Sequence, residues 1–145
     1  MINPGDIPPV ADNELLARFI MNSNETRADG TVKPKLFLPY SRVDLSVNRH
    51  REASIDETWT IGANIAIERD KTLYGRADIR ASSCRIESLD VVQKPIFPNN
   101  PNHADITGYP AKKEDQMSLA GKLAASIEGH WFATPEEFLS DGDRQ

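Results

Sequence analysis

The chain is organised around the stretch from Asn100 to Pro110, which reads Asn-Pro-Asn-His-Ala-Asp-Ile-Thr-Gly-Tyr-Pro. It lies between an apolar run and the most helix-like segment of the chain, which begins near Ala111. If residues 102–106 are extended, His103 and Asp105 point to the same face, because side chains alternate along a strand. An imidazole beside a carboxylate, close to a helix N-terminus, can hold or process an anionic group. The stretch therefore predicts a strand followed by a helix, with a polar site between them.

Two other segments alternate apolar and polar residues, as strands buried on one face do. Val43 to Asn48 is predicted to turn Val43 and its other apolar residues toward the core, and Leu73 to Arg80 repeats the pattern. Gly75 and Ala77 leave little bulk on the inner row of the second segment, so we expect another element to approach closely there. Shorter strands are predicted at Lys35 to Tyr40 and Ser88 to Gln93, whereas Leu15 to Met21 fits either a strand or one helical turn.

Two main helices are predicted from start signals and apolar spacing. Ser54-Ile55-Asp56-Glu57 is a capping box, in which the Ser and Glu side chains each bind the other's backbone N–H. The helix that follows turns Trp59 toward the core as an anchor. Apolar residues recur at helical spacing after Ala111, and Gly129 is a suitable stop. A short third helix is predicted from Thr134, with proline at its first position.

These elements predict an α+β fold, with a small and mostly antiparallel sheet covered by two main helices in a single domain. About four to six strands is the usual size of such a sheet. We expect the domain to span residues 14–129, after a flexible N-terminal lead at 1–13 and before an acidic, aromatic tail at 130–145. A chain of 145 residues, 39% hydrophobic and 27% charged, is long enough and apolar enough for one core.

The charge distribution excludes a general affinity for polyanions. The net charge is −5, and from Glu128 onward the chain carries five acidic residues against Arg144 alone. Proteins that bind nucleic acid without sequence preference normally show a strong basic excess. We therefore expect no non-specific nucleic-acid binding, although a local basic pocket is compatible with these totals.

Cysteine content and hydropathy predict a cytoplasmic protein. Cys84 is the only cysteine, so no intramolecular disulfide can form. The N-terminal residues lack the basic region and apolar run of a signal peptide. No apolar segment approaches the length of a bilayer span, so we expect no membrane association.

A cluster of polar side chains is the main functional candidate. Its predicted ligand-binding members are Ser46, Arg49, His50, Arg76 and Asp78, with His103 and Asp105 as a candidate catalytic pair. Arginine suits phosphate because its planar fork binds two oxygens at once. The plainer interpretation is that Arg76 and Asp78 form cross-strand ion pairs and that His103 caps a turn.

Two functional hypotheses follow from this cluster. The first is an accessory or binding module that recognises a protein partner, or an anionic phosphate- or nucleotide-like ligand, through a polar face. The alternative is a metal-independent enzyme that acts on a nucleotide or phosphate ester. In that enzyme His103 would be the general acid or base, oriented by Asp105 and assisted by anion clamps at Arg49 and Arg76.

Motifs for metals and cofactors do not occur in the sequence. The three histidines match no metal-ligand spacing, and there are no paired cysteines. The glycines form neither a dinucleotide-binding nor a P-loop pattern. Cys84 has no partner base that the sequence identifies, which favours a small buried residue over a nucleophile. We therefore expect no metal and no cofactor.

The C-terminal tail combines acidic residues with the aromatic side chains of Trp131, Phe132 and Phe138. Aromatic residues among acids can anchor a partner after a charge-steered approach. A tail that packs on its own domain explains the same composition, so two interpretations remain: partner docking and internal packing.

Three blocks of the sequence resemble a known group of proteins. They are Leu45-Ser46-Val47-x-Arg49, Gly75-Arg76-Ala77-Asp78-Ile79 and Asn102-His103-Ala104-Asp105-Ile106-x-Gly108-Tyr109-Pro110. In this order they resemble blocks of a group of small bacterial proteins of unassigned function. The resemblance covers about Leu15 to Ile127 and implies a bacterial source and one architecture that unites the three blocks. It implies no activity, and the acidic tail departs from it.

Overall fold

The computed structural model describes residues 4–39 and 44–133 and contains one six-stranded sheet with three α-helices. The strands are β1 Leu15–Ile20, β2 Leu45–Arg49, β3 Gly75–Arg80, β4 Asp90–Gln93, β5 His103–Thr107 and β6 Gly129–Phe132. The helices are α1 Ile55–Glu68, α2 Ala81–Ile86 and α3 Lys113–Ala125. The sheet order is β4-β5-β2-β1-β3-β6, and every neighbouring pair is antiparallel. The predicted α+β fold is confirmed.

The sheet has a core face that β1 illustrates. Leu16 and Ile20 of β1 are fully buried, and Leu16 lies opposite Ile79 of β3 in the strand register. Residues opposite each other in an antiparallel pair project to the same side, so this row continues across the sheet. The same hydrophobic cluster includes Ala120 and Leu123 of α3, which covers this face.

The other face of the sheet, which we call the α1 face, is partly covered by α1. This helix begins as predicted: Ser54 Oγ accepts a bond of 3.1 Å from the Glu57 N–H, and Glu57 Oε1 accepts one of 2.9 Å from the Ser54 N–H. Gly62 brings α1 close to Phe19 of β1, because a Cβ at Gly62 would lie 2.5 Å from the Phe19 ring. Trp59 of α1 is 8% exposed, so it is buried against this face. Because α3 covers the core face, the two main helices lie on opposite faces of the sheet.

One local prediction is wrong, and one helix was not predicted. Residues Pro34–Phe37 form a 3₁₀ turn rather than the predicted strand at 35–40. Pro34 opens the turn, and Leu36 and Phe37 are both fully buried, whereas strand alternation would place them on opposite faces. Helix α2 was not predicted, since its six residues are too few for a helical period to be visible.

Both ends of the described chain belong to the domain, so the predicted boundaries at 13 and 129 are too narrow. Ile7 and Val10 are each 4% exposed, within the predicted lead. Strand β6 pairs with β3 and extends the sheet beyond residue 129. Gly75 permits this pairing because it has no Cβ, which would collide with the backbone oxygen of Trp131. The element that was predicted to approach closely beside Gly75 is therefore β6.

Some predictions fall on residues outside the described part of the chain. They are the inward placement of Val43, the short helix from Thr134, and Phe138. Among residues 4–39 and 44–133, none of the helices combines the length and the hydrophobicity that a bilayer crossing requires.

Candidate functional site

The strand register brings several of the predicted site residues onto the α1 face. Ser46 of β2 lies opposite Asp105 of β5, and Asn48 lies opposite His103. Asp78 of β3 lies opposite Ala17 of β1 on the same face. The predicted shared orientation of His103 and Asp105 is therefore confirmed by the β5 strand, and Ser46 is their neighbour.

Arg49 is the exception, because its side chain lies on the core face opposite Leu16. The guanidinium is buried and donates to both Glu14 carboxylate oxygens at 2.7 Å, to Pro8 O at 2.8 Å and to Pro9 O at 3.3 Å. Burial acts to raise the pKa of Glu14, but bonds and charge from Arg49, together with a bond from the Ala11 N–H, hold it below its ordinary value. Arg49 fastens the N-terminal segment to the sheet and is not available as an anion clamp, which corrects the prediction.

Arg76 is also inaccessible, being 3% exposed beneath α1 and β6. Its Nε and Nη2 lie 3.3 Å and 3.5 Å from the two Asp78 carboxylate oxygens, within the same strand rather than across strands. Its guanidinium carbon lies 4.8 Å from the ring centre of Trp59 and 4.4 Å from that of Trp131. A cation between two indole faces is stabilised by their quadrupoles.

His50 completes this buried network. Its Nε2 lies 2.9 Å from Asp78 Oδ1, and its Nδ1 lies 3.5 Å from the Thr58 hydroxyl of α1. Arg76, Asp78 and His50 thus satisfy one another in a structural network that joins β3, α1 and the end of β2. The predicted ligand-binding roles of these three residues are not supported. Arg76 and Asp78 are buried, and both ring nitrogens of His50, whose side chain is 14% exposed, already face partners.

An open cavity of about 390 Å³ lies beside this network, between the C-terminal half of α1 and the exposed part of the α1 face. It is lined by Arg18, Phe19, Met21, Asn22, Glu25, Ser46, Val47, Asn48, Ile65, Arg69, Lys71 and His103. Its volume falls within the range of about 300–1,000 Å³ that small-molecule sites occupy. The basic residues among them are Arg18, Arg69 and Lys71, of which Arg18 already donates to Leu36 O and Ser46 O, and Glu25 is the one acidic residue. The net charge of the chain is −5.

The cations at the mouth of the cavity are exposed and have no competing partners among the described residues. Arg69 caps the C-terminus of α1, and Lys71 follows it, with its N–H bonded to Ala66 O at 2.8 Å. Within residues 4–39 and 44–133, neither side chain forms an ion pair or a hydrogen bond. The sequence does not identify either residue as part of a site, because their place at a cavity depends on how α1 docks on the sheet.

His103 lines the inner end of the cavity in a fixed orientation. Its Nδ1 lies 3.0 Å from Lys94 O, and since a carbonyl only accepts, Nδ1 carries the hydrogen. In the neutral imidazole Nε2 is then an acceptor, and it lies 3.9 Å from Asp105 Oδ1. The predicted orienting role of Asp105 is therefore performed by the Lys94 carbonyl, while Asp105 stands at the opposite side of the ring.

Ser46, His103 and Asp105 do not form a nucleophilic triad. A triad needs the carboxylate at Nδ1 and the hydroxyl at Nε2, whereas here a carbonyl occupies Nδ1. In the described part of the chain the Ser46 hydroxyl makes no hydrogen bond to His103. Among the same residues, no three or more His, Cys, Asp or Glu side chains are grouped so that they could hold a metal ion.

The aromatic residues of the predicted tail are divided between strand β6 and the region beyond it. Trp131 and Phe132 are 46% and 48% exposed, on opposite sides of this edge strand. Phe132 lies 5.2 Å from His130, ring centre to ring centre, in an edge-to-face contact. Both residues are therefore part of the sheet and also present aromatic surface to solvent.

Comparison with known proteins gives no match, whether to protein-family models, to curated proteins or to solved structures.

Proposed function

We propose that the protein is a cytoplasmic binding module that holds a small anionic molecule of nucleotide size in the cavity between α1 and the sheet. The observation that carries this proposal is the pairing of two exposed cations, Arg69 and Lys71, with an apolar wall that includes Phe19 and Ile65. An anionic group at the cations, joined to a flat or apolar body, matches both parts of this surface.

Electrostatics supports an anionic ligand. Arg69 and Lys71 retain their donors for a ligand, and the arginine fork can bind phosphate or carboxylate oxygens bidentately. A positive cavity on an otherwise acidic chain also attracts anions locally, without conferring affinity for long polyanions. Asp105 carries its charge beside His103, which lines the cavity, so the anionic group of the ligand is expected at Arg69 and Lys71 instead.

The test is a calorimetric titration of nucleoside monophosphates into the wild-type protein and the variant Arg69→Ala/Lys71→Ala. We expect measurable binding to the wild type and an affinity at least about tenfold lower for the variant, since one decade corresponds to about 1.4 kcal/mol. The control is Lys112→Ala/Lys113→Ala, which removes the same charge from exposed positions at the start of α3. Equal losses in the two variants, or no binding by the wild type, would contradict the proposal.

Catalysis at the same cavity is a second candidate, favoured by the unoccupied Nε2 of His103. A fixed Nδ1–H leaves Nε2 able to take a proton from a substrate or an attacking water. If the protein hydrolyses phosphate esters, His103→Gln should abolish phosphate release and His130→Gln should not. Release that persists in His103→Gln would exclude this role.

We also propose that β6 contributes to a protein interface, because Trp131 and Phe132 are exposed on an edge strand. Substitution of Phe132 by Ser should weaken capture of such a partner without reducing nucleotide binding. Trp131 is a poorer choice for this test, since its indole also stacks on Arg76.

A further inference from the structure

The inner end of the cavity offers hydrogen-bond acceptors to a ligand. The His103 imidazole uses its Nδ1–H on Lys94 O, so in the neutral ring Nε2 presents a lone pair. Asp105 stands just outside the cavity lining, beside His103, with its side chain 17% exposed, and its carboxylate accepts through both oxygens when ionised. The chemistry of this end therefore differs from that of the mouth, where Arg69 and Lys71 only donate.

These two acceptors lie close together and do not form a hydrogen bond with each other. Nε2 and Asp105 Oδ1 are 3.9 Å apart, which is too long for a hydrogen bond. No donor among the described residues bonds to the Asp105 carboxylate. Two acceptors at this separation can share the two hydrogens of one amino group, each taking one.

Ser46 can contact either an amino or an oxo group of a ligand, so it does not distinguish between them. Its hydroxyl lies on the neighbouring strand, directly opposite Asp105, and it can donate or accept. Selectivity between a donor and an acceptor on the ligand therefore rests on His103 and Asp105. An oxo group placed between them would face two acceptors and leave its own lone pairs unpaired, which is costly in a partly buried site.

We infer that the ligand carries an amino group at the end opposite its anionic group, so that amino-bearing nucleotides bind in preference to their oxo counterparts. This inference rests on the proposed function and adds to it the class of ligand and its orientation. The phosphate lies at Arg69 and Lys71, the base packs along Phe19 and Ile65, and the exocyclic amine donates to His103 Nε2 and Asp105.

The experiment compares two matched pairs of ligands, CMP with UMP and AMP with IMP, which differ chiefly by an amino or an oxo group. We expect the wild-type protein to bind the amino member at least about tenfold more tightly, as hydrogen bonds to charged groups justify. Asp105→Asn should reduce this preference at least threefold, because the amide can also donate to an oxo group. Asp115→Asn, a change of the same kind on α3, should leave it unchanged.

The failure of this inference is distinguishable from that of the proposed function. Equal affinity within both pairs overturns the inference while the binding proposal stands, and binding of none of the four ligands overturns both. Long-range ¹H–¹⁵N spectra of His103 supply an independent readout. A hydrogen found on Nε2 instead of Nδ1 in the neutral ring would also overturn the inference, and so would a preference that survives in a folded Asp105→Ala variant.

Discussion

Asn48 and Asn100 exchange two side-chain hydrogen bonds across 52 residues of sequence. Asn48 Nδ2 donates to Asn100 Oδ1 at 2.8 Å, and Asn100 Nδ2 donates to Asn48 Oδ1 at 3.0 Å. The two residues are only 2% and 7% exposed. Asn100 and Ile96 also bond each other's backbone, so this pair holds the whole 94–102 loop against β2. The loop supplies the Lys94 carbonyl that orients His103, and the amide pair therefore supports the cavity.

Asn100→Ala should lower the free energy of unfolding by about 1–3 kcal/mol, because it leaves the buried Asn48 amide without its partner. The check is urea-induced unfolding followed by circular dichroism. Asn99→Ala, an exposed change in the same loop, should stay within about 0.5 kcal/mol of the wild type. In a double-mutant cycle with Asn48→Ala, the double variant should lose less stability than the sum of the single variants. Simple additivity would show that the amides are not coupled.

Arg76→Ala should cost about 3–5 kcal/mol of unfolding free energy, since it strands the buried Asp78 carboxylate and removes the cation between two indoles. Tryptophan emission should shift to the red as Trp131 loses its contact. Arg80→Ala is the matched control in the same strand. Its side chain is 38% exposed and pairs with Glu128, so a loss of about 0–1 kcal/mol is expected. Similar losses in both variants would contradict the structural role of the Arg76 network.

Stability should fall at alkaline pH because two buried groups resist ionisation. Burial raises the pKa of the Cys84 thiol from 9.0 to about 12, and it also raises the pKa of the Tyr109 hydroxyl, which donates to Phe37 O at 2.7 Å. Above pH 9 the unfolded chain releases the thiol proton while the folded chain keeps it. The protonated Cys84 thiol therefore makes its full contribution to the free energy of unfolding below pH 9, and this contribution is lost as pH rises toward 12.

Each group can contribute a slope of up to about 1.4 kcal/mol per pH unit in this window. Urea unfolding between pH 8 and pH 11 measures it. Cys84→Ala should reduce the slope, leaving the part that Tyr109 contributes. A wild-type slope that is flat across this window, or one that Cys84→Ala does not change, would disprove the assignment.

Gly62→Ala and Gly121→Ala should shift stability in opposite directions although both residues lie within helices. A Cβ at Gly62 would lie 2.5 Å from the Phe19 ring, which lines the cavity, so we expect a loss of about 1–3 kcal/mol and weaker ligand binding. At Gly121 the nearest atom, on Pro34, is 3.9 Å away. Alanine there should stabilise the protein by about 0.5–1 kcal/mol, because glycine weakens a helix interior. Thermal unfolding and nucleotide titration of both variants provide the check.

The sequence predicted those elements whose signals are local. The capping box marked the start of α1, and alternation located β2, β3 and β5. The alternation in β2 also indicates the face on which Arg49 lies, although its charge argues for the other face. Arg49 shares its parity with Leu45 and Val47, which places it on the core face, but a charged side chain at a strand end suggested solvent. Glu14 and two proline carbonyls make the buried position tolerable, and none of these partners is close in sequence.

The remaining parts of the site depend on contacts that no local pattern records. Asn48 is buried because a loop 52 residues away bonds to it, and nothing near it in sequence indicates that loop. Arg69 and Lys71 line the cavity because α1 packs on the sheet, where Gly62 lies close to Phe19. His103 and Asp105 were identified correctly as neighbours, whereas the group that orients the imidazole is a backbone carbonyl, which side-chain patterns cannot reveal.

Strand β6 covers the edge of β3 and one side of the Arg76 guanidinium. If β6 detaches, the N–H and C=O groups of β3 on that edge face solvent. Arg76 then has Trp59 on one side and water on the other, because the second indole leaves with the strand. The four residues of β6 that extend the sheet therefore also keep the arginine buried, so fraying of this edge opens a pairing edge and a buried charge together.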